Sequence, residues 1–96
     1  MLASEKINKT VTEVATANLT PSVVRYVMSE PTTDSGGEEA LRITIVIALG
    51  AAETVSGDAV LDTLVMSQDR LRKAGEERFP IVEYAAEDEL DDVGDR

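Results

Sequence analysis

LRITIVIALGAAETVSGDAVLDTLVMSQDRLRKAGEERFPIVEY, residues 41–84, decides the fold of this chain. It opens on strict alternation. Leu41, Ile43, Ile45 and Ile47 fall on one side; Arg42, Thr44, Val46 and Ala48 fall on the other. A period of two with so many β-branched residues predicts a strand over 41–49. The first side must be buried. The second turns apolar toward Val46 and Ala48, which predicts a strand that is central there or covered on both faces.

Helical periodicity follows the strand. Ser56 is placed to cap a helix, Asp58 suits its first turn, and Arg70, Arg72 and Lys73 crowd its last turn. That charge order complements the helix dipole. Asp69 and Lys73 can pair across one turn. Val60, Leu61, Leu64, Val65 and Leu71, extended by Ala74, form the expected buried stripe. Gly75 ends the helix, predicted over 56–74, because glycine adopts the left-handed terminal conformation without a steric penalty. Pro80 fits the start of an edge strand, predicted over 81–84. Strand, helix and strand in this order make a crossover unit.

Residues 31–39, PTTDSGGEE, carry Pro, Asp, Ser and a Gly-Gly pair and predict a long hairpin loop. Before it, VVRYVMS (23–29) is read as a strand paired with 41–49, with Val24, Tyr26 and Met28 on one face. A helix capped by Thr20 is the competing reading of that segment. Residues 4–18 predict a first helix, capped by Ser4 and apolar along Ile7, Val11 and Val14. Thr20-Pro21 stops it, since the residue before proline is pushed out of the helical region. Residues 85–96 hold six acids and one base and are expected to be a flexible acidic tail. The organisation is therefore one domain, 1–84, and a tail, 85–96. The order α-β-β-α-β predicts a small α+β two-layer sandwich with a short mixed or antiparallel sheet, a ferredoxin-like half or a related arrangement.

The net charge is −10, from 19 acidic and 9 basic residues. Nucleic-acid backbones and anionic membranes repel such a surface, so neither is an expected partner. Basic patches on other proteins are its natural complement. The lysine-poor composition, with Lys6, Lys9 and Lys73 only, also fits adaptation to high salt. The longest apolar run, 45–49, is too short to cross a bilayer, and residues 1–9 lack the pattern of a secretion signal. A cytoplasmic location is expected.

The chain has no histidine and no cysteine. The commonest general base, the thiolate nucleophile and the usual zinc ligands are thereby excluded. Asp58 and Asp62, one turn apart, read as a solvated helix face rather than a cation site. Gly36-Gly37 is a turn, because no Gly-Lys-Ser/Thr follows it. No catalytic residue, cofactor or metal is expected.

The expected interaction surface is Arg42, Thr44, Val46 and Ala48 on the second strand face, with Arg70 and Lys73 from the single basic cluster. These features point to a non-catalytic acidic interaction module or accessory subunit. It is expected to form a homodimer, because so small a sheet leaves its edges open. The alternative is a small ligand- or metal-binding domain or enzyme using carboxylates and an anion site in which Arg25 and Arg42 face each other across the hairpin.

Overall fold

The structure is a computed structural model and describes residues 2–87. The elements are α1 (Ser4–Leu19), β1 (Val24–Thr33), β2 (Glu39–Ile47), a single 3₁₀ turn (Ala51–Glu53), α2 (Gly57–Lys73) and β3 (Phe79–Ala86). This is the expected α-β-β-α-β order. The sheet is mixed. Its order is β1-β2-β3, with β1 antiparallel and β3 parallel to the central β2. β2 and β3 are direct neighbours, so the crossover through α2 closes with no strand between them.

α1 forms because apolar residues recur every three or four positions. Ile7, Val11, Val14, Ala15 and Leu19 are all buried. Its threonines tolerate the helix by bonding back to it: Thr12 Oγ1 donates to the Asn8 carbonyl at 2.6 Å and Thr16 Oγ1 to that of Thr12 at 2.9 Å. The N-cap is Ala3, not Ser4, and no side chain caps the first turn. The other end stops at Thr20, held at φ 89° and ψ 148°. The ψ suits the following proline; the positive φ is a strained value for a β-branched residue.

The hairpin is tighter than its composition suggests. β1 continues through Pro31 to Thr33, so the connection is 34–38 rather than 31–39. Pro31 is accepted because β1 is an edge strand, where a missing N–H need not interrupt a ladder. Asp34 organises the turn: its Oδ1 accepts the N–H groups of Gly36 and Glu38, both at 2.9 Å. Gly37, at φ 83°, supplies the left-handed residue.

Register places two sets of residues on opposite sheet faces. Val27, Ile45 and Tyr84 share one row with Ser29, Ile43 and Val82 beside it. Tyr26, Val46 and Ala85 share a row on the other face, followed by Met28, Thr44 and Glu83, then Glu30, Arg42 and Ile81. The first face meets the helices. Leu41, Ile43, Ile45 and Ile47 join Ile7, Val11, Ala15, Leu19 and Leu71 in one aliphatic core. The second face has no layer over it among the described residues.

α2 begins as expected, with Ser56 Oγ accepting the Ala59 N–H at 3.1 Å, and ends before Gly75 at φ 106°. Its buried side keeps only part of the expected stripe: Leu71 is buried and Val60 and Leu64 are half-buried. Thr63, Ser67 and Leu71 are buried, whereas Leu61 is 57% and Val65 54% exposed. The reason is that α2 has two neighbours. Arg70 reaches Glu13 of α1 at 3.5 Å and Asn18 of α1 reaches Met66 at 3.5 Å, so the two helices run antiparallel. On the other flank, Tyr84 Oη donates to the Val60 carbonyl at 3.2 Å, and Gln68 Nε2 donates to the Pro80 carbonyl at 3.4 Å. The small Thr63 and Ser67 occupy the buried wedge, and the larger Leu61 and Val65 turn outward.

β3 extends to Ala86, two residues past its expected end, with Ala85 paired to Val46 and Ala86 to Ile47. Of the expected acidic tail, residues 88–96 lie outside the described residues.

Candidate interaction surface

The sheet face that no described helix covers is built by the alternation of β2. Thr44, Arg42 and Val46 point to it together, as the sequence pattern predicts. Val46 is fully buried there, in a row between Tyr26 and Ala85. Three large apolar side chains of this face are open to solvent: Tyr26 at 46%, Met28 at 39% and Phe79 at 60%. Tyr26 and Phe79 belong to rows near opposite ends of the face. Tyr26 and Met28 lie in adjacent rows, and the row of Glu30 and Arg42 separates them from Phe79; exposed large apolar groups brought together on one face mark interaction sites more often than scattered single residues do.

The polar groups of the face satisfy one another. Arg42 Nε lies 3.9 Å from Glu83 Oε1, and Thr44 Oγ1 donates to the same carboxylate oxygen at 3.3 Å. Arg25 is elsewhere. The irregularity between Val24 and Tyr26 and four residues of β2 separate it from Arg42, whose cross-strand partner is Glu30. Its guanidinium binds Glu87 at 3.2 Å, and the same carboxylate accepts the Leu49 N–H at 3.0 Å. That N–H, and then Arg25, hold the Glu87 carboxyl below its ordinary range. The two arginines therefore do not converge on an anion site across the hairpin. Ala48 also leaves the expected face: it follows the last residue of β2, donates its N–H to the Val23 carbonyl at 2.8 Å, and packs against the main core.

The basic cluster sits on the helix layer, where its three bases meet two acids. Arg70 pairs with Glu13, and Arg72 and Lys73 share Asp69 at 3.2 and 3.0 Å. These pairs are solvent-exposed and contribute little to stability. Arg70 and Lys73 thus do not join Arg42, Thr44 and Val46 in one surface. Asp58 and Asp62 are exposed, and among the described residues no three acidic side chains gather as a metal site.

One charged constellation escaped the sequence reading. The Glu76 side chain is fully buried and the Arg78 side chain is 10% exposed. Arg78 Nε donates to Glu76 Oε2 at 2.8 Å and Arg78 Nη2 to Oε1 at 2.9 Å, a bidentate pair. The Leu2 N–H adds a bond to Oε1 at 2.9 Å and the Arg78 N–H one to Oε2 at 3.0 Å. Four donors on one carboxylate hold its pKa at about 2, chiefly through the guanidinium, against the upward push of burial. Beside this pair a cleft of about 520 Å³ opens between Gln68, Leu71, Gly75, Phe79 and Pro80. With both oxygens saturated, the carboxylate has no capacity left for acid–base work; it is a tether between the N-terminus and the α2–β3 junction.

No protein-family model matches this chain, and no curated protein matches it either. Functional inference rests on the surfaces themselves. The apolar patch was partly visible in the alternation of β1 and β2. Phe79 was not, because nothing local tells a strand's first residue which face it will join.

Proposed function

We propose that this chain is a non-catalytic, self-associating interaction module whose open sheet face receives a second protein. The observation that carries the reading is the exposure of three large apolar side chains, Tyr26, Met28 and Phe79, on one sheet face whose Arg42 and Glu83 pair with each other. The partner suited to it presents an apolar patch bordered by basic residues. Asp34, Glu38 and Glu39 cluster in the hairpin, near the rows that hold Phe79, Ala40 and Thr32, and would meet those bases. The acidic balance disfavours nucleic-acid and membrane partners. A cysteine-free, acidic chain of this kind is suited to the cytoplasm.

The test is affinity capture from the native host with the wild-type chain and with a Met28→Lys, Phe79→Lys variant. A protein held by the first in stoichiometric amount and lost by the second supports the reading. Recovery of no stoichiometric partner, or equal recovery by both, removes it.

A further inference from the structure

The edge of β3 from Pro80 to Tyr84 and the outward side of α2 lie next to each other, and no other strand or helix among the described residues covers them. We propose that a second copy of this chain docks there, pairing β3 with β3 in antiparallel fashion and α2 with α2 about a single two-fold axis. The proposal deepens the self-association suggested above by assigning its surface.

Three observations point to a second copy. The first is charge. Along α2, Asp58, Leu61, Val65, Gln68 and Arg72 follow helical spacing on one stripe, acidic at the start, apolar in the middle and basic at the end. Asp58 and Arg72 stand seven residues either side of Val65. An antiparallel copy centred on Val65 sets Asp58 opposite the partner's Arg72, and Arg72 opposite the partner's Asp58. Leu61 and Val65 are then buried between the helices. The stripe is complementary to itself only in this orientation.

The second is the state of the edge. Gln68 Nε2 donates to the Pro80 carbonyl at 3.4 Å. A side chain can reach that oxygen because it faces away from β2, and a proline in an edge strand places its missing N–H on the same free side. Period two then turns the N–H and C=O groups of Val82 and Tyr84 outward as well.

The third is the height of the axis. Opposed residues in antiparallel strands share a face, so the axis of a β3 pair must pass a residue position or its neighbour on the other face. An axis at Glu83 sets two carboxylates against each other, and one at Ile81 spends its central bonding pairs on Pro80, which has no N–H. An axis at Val82 gives two bonds between the Val82 pair and two from Tyr84 N–H groups to Pro80 carbonyls. On α2, Val60 is level with Tyr84 and Gln68 with Pro80, so Val82 is level with Leu64, beside Val65. The axis chosen by the helix charges and the axis chosen by the strand bonds coincide to about one residue. The β1 edge offers no such match, since no exposed apolar helix stripe flanks it.

The decisive experiment is complementation between two charge-reversed chains, read by analytical ultracentrifugation. Asp58 and Arg72 are separated by about 21 Å along one helix, so they cannot compensate each other within a chain. Asp58→Arg alone and Arg72→Asp alone are each expected to weaken the dimer by about tenfold or more through like-charge contacts. An equimolar mixture of the two is expected to form a heterodimer of near wild-type affinity. Leu61→Lys, at an exposed position, is expected to give a folded monomer.

Amide exchange on the wild-type chain should slow at Val82 and Tyr84 as concentration rises. A mixture no tighter than its components overturns the proposal, as does a dimer that Leu61→Lys leaves intact. A wild-type dimer broken instead by Met28→Lys overturns this geometry while leaving self-association in place. A wild-type chain that stays monomeric at about 100 μM, where a dimer of moderate affinity would be populated, removes both readings.

Discussion

α1 and α2 lie side by side on the same sheet and solve burial in opposite ways. α1 buries its large aliphatic residues and exposes its polar ones. α2 buries Thr63, Ser67 and Leu71 while Leu61, Val65 and Met66 stand in solvent. The first helix is finished by its own chain. The second has the small Thr63 and Ser67 in the wedge between α1 and β3, and Leu61, Val65 and Met66 face outward. A helix with this distribution is stable by position rather than by its stripe, and its exposed side is available to another molecule.

The largest expected effect is at the tether between the two helices' ends. Arg78→Met leaves the buried Glu76 carboxylate unpaired and is expected to lower stability by about 3–5 kcal/mol in urea unfolding. A loss no greater than that of an exposed arginine such as Arg70→Met would show that the pair holds nothing. Next, Leu71→Ala removes the one large side chain that α2 contributes fully to the core, at a cost of about 2–5 kcal/mol.

The Glu76 carboxyl supplies a pH test of comparable size. Its pKa in the folded chain, about 2, lies below the ordinary 4.5. The folded state therefore binds that proton less readily than the unfolded state. The stabilisation is complete above about pH 5 and drains away as pH falls toward 2, amounting to about 3 kcal/mol in all. The stability difference between wild type and Glu76→Gln should shrink over that window and stay flat from pH 6 to 8. A difference independent of pH from 6 to 2 would argue against a depressed Glu76.

Two smaller effects probe the inversion of α2 directly. Ser67 Oγ is buried with no hydrogen-bond partner among the described residues. Ser67→Ala is expected to raise stability by about 1 kcal/mol, since it removes an unsatisfied polar group. Leu61→Ala, in spite of its hydrophobic parent residue, should change monomer stability by no more than about 0.5 kcal/mol. A large loss at Leu61, measured below the dimerisation range, would mean that α2 is seated the other way round.

Much of this arrangement is legible in the sequence. The alternation of 41–47 carries its own face assignment, and the Ser56 cap and Gly75 stop are local chemistry. Three features were not local. Which side of α2 is buried depends on its having two neighbours, a tertiary fact that a single periodic stripe cannot encode. Pro31 reads as a breaker unless the strand is known to be an edge. Glu76-Glu77-Arg78 looks like an ordinary solvated charge run, because the third member of its network is the backbone of Leu2. The candidate interaction surface was half legible: Arg42, Thr44 and Val46 share a face by period two, whereas Ala48 departs where β2 ends, and the distance between Arg25 and Arg42 depends on register.

The bond from the Leu2 N–H to Glu76 closes a loop of 74 residues. A contact between positions so distant in sequence forms only after the intervening chain has found its place. It belongs, then, to the last steps of folding and the first of unfolding. In a chevron plot Arg78→Met should leave the refolding limb nearly where it was and lift the unfolding limb by about a hundredfold or more. The tether governs how long the folded molecule lasts far more than how quickly it forms.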